Sequence, residues 1–213
     1  MKENLKKIIS PLYSPIKKNI ELSKFKKSLE DTKKKKIPIK IVIGSASIYE
    51  SGWIPSEVHF LNLLIEDTWN DFFNKDEITY LLAEHVWEHL TTEEGEIAAR
   101  NCFKFLKKGG NLRIAVPDGY HPNEDYIDYV KPGGTGAGAD DHKALYNYKT
   151  FSKIFEKAGF EVKPLEYFNE EKEFQYNEWD VEKGYIHRSI KHDKRNEGGK
   201  PVYTSIIIDA CKR

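Results

Sequence analysis

Two histidines and a glutamate stand within five residues at His85-Val86-Trp87-Glu88-His89. The spacing i, i+3, i+4 would put all three side chains on one face if the segment were helical. Two imidazoles and a carboxylate form a zinc-type donor set, and H-x-x-E-H is a peptidase pattern. A closed zinc site needs a further protein ligand, and no spacing in the chain identifies one. The motif also begins directly after an apolar strand, Asp76 to Ala83, while Thr91, with Glu94 three residues on, marks where the next helix starts. A histidine-bearing turn between strand and helix is the expectation, with no metal. His85 is expected to face a pocket, and His89 and Leu90 to brace the turn.

Two further groups of reactive side chains follow. Asp118 and His121 lie just after the strand Asn111 to Val116, and His142 closes a glycine-rich loop that starts at Lys131. Each of the three has the chemistry of a general base. The loop glycines suit either plain turns or a lid that closes on a ligand. The aromatic stretch Tyr167 to Arg188, with Phe174, Tyr176, Trp179, Tyr185 and His187, suits either an acceptor wall or an insertion that packs its rings on the domain.

The elements that position these groups alternate. Ile37 to Ile43 is a short β-branched run stopped by Gly44, then Ser45, Ala46 and Ser47. Gly52 to Glu57 and Phe60 to Leu64 read as two more extended pieces. A helix from Thr91 ends at Gly109-Gly110, and a second covers Thr150 to Ala158. Strands follow at Phe160 to Leu165 and Tyr203 to Ala210. Apolar strands alternating with helices predict an α/β sheet covered on both faces. Ligands of such sheets bind beyond the carboxyl ends of the strands, which singles out Gly44, Glu57, Asn62, Glu84, His85 and Asp118.

The 213 residues suit one domain. Residues 1–36 form a lysine-rich segment, read as one or two basic amphipathic helices broken at Pro11 and Pro15, and 37–213 form the main domain. Lysine plus arginine equals aspartate plus glutamate, 34 each, so no broad basic face for nucleic acid is expected. Cys102 and Cys211 read as small core residues of a cytoplasmic protein. No transmembrane run and no signal peptide are expected.

The stretches "IVIGSA", "GWIPSE", "ITYLLAEHVWEHL", "CFKFLKKGGNLRIAVPD" and "FEKAGFEV", in that order, resemble the class I methyltransferases that use S-adenosylmethionine, and most of all small bacterial type 11-like members. The resemblance spans about residues 38 to 212. It implies a Rossmann-like, doubly wound, seven-stranded sheet, mostly parallel with the last strand antiparallel. Only about a dozen residues separate Gly44 from Glu57, so the first βα connection is shortened. Carried onto this chain, the resemblance implies that Gly44, Ser45 and Ala46 approach the methionine part of the cofactor. Glu57 holds the ribose hydroxyls, Asn62 lies near the adenine, and Glu84 and His85 line the pocket. Asp118, His121 and His142 are then the candidates for a base, and the acceptor is a small molecule or a glycan-type compound. Two alternatives stay open: a binding module that keeps the fold without catalysis, and a zinc-dependent hydrolase using His85, Glu88 and His89.

Overall fold

A computed structural model describes residues 2–46 and 48–213, with side chains from residue 15 onward. Ser47 and the side chains of Leu5, Ile8, Ile9 and Leu12 lie outside the described residues. The basic segment is one helix, α1 (Lys2–Lys35), continuous through Pro11 and Pro15 where two helices were an option. Its second half is anchored: Phe25 and Leu29 are buried, and the Phe25 ring lies 5.0 Å from those of Phe60 and Phe72. Lys33 Nζ donates to Phe72 O at 2.8 Å and pairs with Glu77 at 2.9 Å.

Seven strands form one sheet in the order β2-β1-β3-β4-β7-β5-β6. These are β1 (Lys40–Val42), β2 (Ile54–Pro55), β3 (Ile78–Glu84), β4 (Leu106–Pro117), β5 (Glu161–Phe168), β6 (Phe174–Tyr176) and β7 (Ser205–Cys211). β2, β1, β3 and β4 pair in parallel, and β7 inserts antiparallel between β4 and β5. The chain leaves β1 to β2 on one side and returns to β3 on the other, which places the reversal of strand order at β1. Among the described residues no helix lies between β1 and β2, in keeping with the short spacing.

The seventh strand is not the expected one. Phe60 to Leu64 is not extended but turns into the short helix α2 (Glu66–Asn70). Its polar groups are satisfied locally: Trp69 Nε1 donates to Asn62 O at 2.9 Å, and Leu64 N to Asn62 Oδ1 at 2.8 Å. A further strand would have to pair with β2, which is two residues long and ends in Pro55, a residue with no N–H to give. α1 packs beside that edge instead. The count of seven is restored by β6, which forms a hairpin with β5 at the opposite edge.

The sheet's side chains alternate between two cores. Ile41, Leu81, Ala83, Leu112, Ile114, Ile206 and Ile208 face α1, α2, α3 (Thr92–Phe105) and α5 (Tyr148–Lys157). Val42, Leu82, Ala115 and Ile207 face the other way, onto Trp53, Ile186 and Trp179. That second face is covered by a strap, residues 177–199, with 3₁₀ turns and no α-helix. Arg113, fully buried, ties the strap down. Its Nε and Nη2 donate to both oxygens of Asp209 at 2.7 and 2.8 Å, and its Nη1 donates to Asp180 O and Gly184 O at 2.6 and 2.7 Å. Gly184 has φ +138°, and a Cβ there would meet Leu82 Cδ1 at 2.9 Å, so glycine suits both the backbone and the close approach of the strap. Cys102 is buried on α3, and Cys211 Sγ donates to Asn111 Oδ1 at 2.9 Å. No helix among the described residues is long and apolar enough to cross a membrane.

Candidate active site

The carboxyl ends of β1 and β3 open onto a crevice. Ile43 N still bonds to Leu82 O at 2.8 Å, and the chain leaves the sheet at the next residue. Gly44 has φ +59°, and a Cβ on it would sit 3.1 Å from Val86 Cγ2. Both the left-handed backbone and the close approach favour glycine. Ser45 then turns back towards the end of β2: its N–H bonds to Ser56 O at 3.0 Å, and its hydroxyl donates to Glu57 Oε1 at 2.7 Å. The turn and the acid that follows β2 are therefore in contact.

Two cavities meet at this point. One of about 340 Å³ is lined by Gly44, Ser45, Ala46, Glu84, His85 and Tyr185, among others. The other, about 380 Å³, is lined by Gly44, Val58, Asn62, Leu63, His85 and Val86, among others. They share Ile43, Gly44 and His85. Six of the seven expected cofactor-side residues line one or both. Glu57 reaches the crevice through Ser45 and lines neither directly.

Glu84, at the end of β3, holds the strap over the first cavity. Its Oε2 accepts from His187 N at 3.1 Å and lies 3.0 Å from His187 Nδ1, while its Oε1 accepts from Arg188 N at 2.7 Å. Burial alone would raise the Glu84 carboxyl. The His187 ring, the His85 charge and the two backbone N–H groups outweigh it and hold the carboxyl below its ordinary pKa. His187 is raised in turn, first by that hydrogen bond. Glu84 thus lines the cavity mainly as the anchor of its wall. Tyr185, His187 and Arg188 face the cavity, whereas Trp179 lies over the Arg113 guanidinium at 4.7 Å and packs.

The H-x-x-E-H segment is not an α-helix. Trp87–His89 make one 3₁₀ turn, and Thr91 caps α3 with a complete capping box to Glu94. His85 has φ +56°, with Nδ1 2.7 Å from Glu88 Oε1 and Nε2 3.1 Å from Ser205 Oγ. Both ring nitrogens are engaged, so His85, Glu88 and His89 do not converge on one point. The set that does converge is Glu88, His89 and His142, whose donor atoms all lie within 4.8 Å of one another. The end of the glycine-rich loop is held there by Lys143 N and Ala144 N, which bond to Glu88 O at 2.7 and 3.2 Å.

Of the three candidate bases, His142 lines one of the cavities described. Asp118 was expected to face the substrate but is fully buried. Its Oδ1 accepts from Tyr120 N at 2.8 Å and its Oδ2 from Phe168 N at 2.7 Å, joining β4 to β5. Burial pushes its carboxyl up to about 6. His121 is correspondingly buried behind Tyr126, stacked at 4.0 Å, with Nδ1 accepting from Asn123 N at 3.1 Å. Burial lowers its pKa. Both are placed as bracing groups because β7 and the ring of Phe168 close over the end of β4. His142 lines a third cavity, about 250 Å³, with His85, Glu88, His89, Arg188 and Tyr203, among others. Tyr129 and Arg195, also in that wall, carried no signal in the sequence. They arrive from α4 (Glu124–Val130) and from the strap, far from any motif.

No protein-family model and no curated protein matches the sequence. Solved structures with a similar fold include a SAM-dependent methyltransferase from Thermotoga maritima, described as a possible histamine N-methyltransferase. It is 13% identical over 97% of this chain and 98% of that one, with a TM-score of 0.47. A SAM-dependent methyltransferase from Archaeoglobus fulgidus is 13% identical over 99% and 93%, with a TM-score of 0.46. Another from Mesorhizobium loti is 9% identical over 82% and 80%, with a TM-score of 0.47. Likenesses this distant assign no activity. The sheet order itself establishes a Rossmann-like α/β fold with an antiparallel strand inserted beside β4.

Proposed function

We propose that this protein is an S-adenosylmethionine-dependent methyltransferase. The observation that carries the proposal is the 2.7 Å contact between Ser45 and Glu57 at the reversal of strand order. It joins a left-handed glycine turn after β1 to a carboxylate after β2, the pairing by which dinucleotide folds hold a ribose and an adjoining polar tail. The residues fit the cofactor. Gly44 leaves room that a side chain would close, and the cavities meeting there are each at the lower end of the range for ligand pockets, roughly 300–1,000 Å³.

In this reading Glu57 exchanges its Ser45 bond for the ribose hydroxyls, and the apolar side chains of Val58 and Leu63 flank the base beside Asn62. Gly44, Ser45 and Ala46 receive the amino-acid tail. When bound, the cofactor supplies an electrophilic methyl on a sulfonium. The protein's part is to exclude water and aim an acceptor at it. The acceptor is a small molecule or a glycan-type compound that enters the cavity beside His142 and Arg188. That cavity adjoins the cofactor side through His85 and Arg188. His142 Nδ1 lies 2.7 Å from Val130 O, so Nδ1–H donates there and orients the ring that lines this cavity.

Isothermal titration with S-adenosylhomocysteine tests the proposal. One site is expected, weakened by about 1.5–3 kcal/mol, roughly 10- to 150-fold, in Glu57→Ala. No heat at high protein concentration refutes the enzyme and leaves a binding module of the same fold.

A further inference from the structure

We infer that Glu88, His89 and His142 form a binding site for one divalent first-row transition-metal ion. Their donor atoms lie no more than 4.8 Å apart, so some point is within about 2.8 Å of all three. Zinc bonds to nitrogen and oxygen are about 2.0–2.2 Å. An inward movement of about 0.6–0.8 Å per side chain closes that gap.

A second observation points to a ligand. Glu88 is 1% exposed. Its Oε1 is taken by His85, while Oε2 is buried with no hydrogen-bond partner among the described residues. A buried carboxylate oxygen left without a donor costs stability that a bound cation recovers.

The imidazoles are prepared for the same role. His142 directs Nδ1–H at a backbone carbonyl, Val130 O, at 2.7 Å. That fixes its tautomer and presents the Nε2 lone pair, the usual outer-shell arrangement of a metal-bound histidine. His89 Nδ1 lies 3.3 Å from the exposed carboxylate of Asp141, though not in hydrogen-bonding geometry. The His89 and His142 rings meet edge to face at 4.9 Å. Two imidazoles and a carboxylate suit zinc, cobalt, nickel or iron(II) rather than calcium or magnesium. Three protein ligands leave a position open to the cavity, where Arg188 can accept the negative charge of a further ligand.

The chelator-treated protein is titrated with cobalt(II) chloride and followed by visible absorbance, and with zinc chloride followed by calorimetry. One equivalent with micromolar or tighter affinity is expected. His89→Ala and His142→Ala should each weaken it at least tenfold, and His192→Ala, on the strap, should leave it unchanged. Circular dichroism of each variant separates loss of ligand from loss of fold. No binding by the wild-type protein at millimolar metal overturns the inference, as does binding that both ligand variants retain. The titration uses no cofactor, so it fails or holds separately from the methyltransferase proposal.

Discussion

Glu84→Gln changes one carboxylate to an amide of the same shape at the point where strap and sheet meet. The amide oxygen can keep the Arg188 N–H bond, but its NH₂ then faces the N–H of His187, donor against donor. The ring contact to His187 is also lost, but that side chain is 43% exposed and its ion pair is worth little in water. The main loss is one backbone hydrogen bond to a charged acceptor, about 1.5–3 kcal/mol. It falls on local opening of the strap rather than on the core. Amide exchange at His187 and Arg188 should therefore accelerate roughly 10- to 150-fold, with the central strands unaffected. The pH dependence has a definite sign. The Glu84 carboxyl is lowered, so its stabilisation is present above the ordinary carboxylate pKa and is lost as pH falls through the lower folded value. His187 is raised, so its share is present below the ordinary imidazole pKa and is lost as pH rises through the higher folded value. Wild-type protection at these two amides should peak between about pH 4.3 and 6.5, and the variant should lack that peak. Unchanged exchange in Glu84→Gln would show that the strap is held by something else.

Gly44→Ala imposes about 1–2 kcal/mol of left-handed backbone strain and presses a methyl on Val86, so cofactor affinity should fall with modest loss of stability; calorimetry and thermal melting separate the two. Arg113→Ala leaves Asp209 as a buried carboxylate without its bidentate partner and should cost about 3–5 kcal/mol in urea denaturation, where a loss under 1 kcal/mol would refute the tie. Asp118 is raised to about 6, so the folded state holds its proton more tightly than the unfolded chain. Its stabilising share is present below the ordinary carboxylate pKa and is lost as pH rises to about 6. Melting profiles of the wild type should carry this loss, and Asp118→Asn should remove it.

Local pattern was enough for much of the architecture. Thr91 and Glu94 announce the start of α3, because a capping box is a contact within one turn. The apolar run before Gly44 and the acid at 57 announce the crevice, because a strand that ends in a tight turn must deliver its next residues to the sheet's carboxyl edge. The same locality misled at Phe60 to Leu64. Phe60, Leu61 and Leu63 are buried as a strand's side chains can be, and the two-residue length of β2, together with α1 beside it, removes a pairing partner. Glu88 and His142, 54 positions apart, meet because backbone bonds dock the loop on the turn, and no spacing rule reaches that far. Asp118 and His121 have the residue types of bases, and only the fold reveals that both are buried, behind Tyr126 and Phe168, which later parts of the chain contribute. Sequence determined which segments could become strands, turns and helices, because those depend on neighbours a few residues away. Tertiary structure decided which polar groups face a cavity, because that depends on which distant segment closes over each strand end.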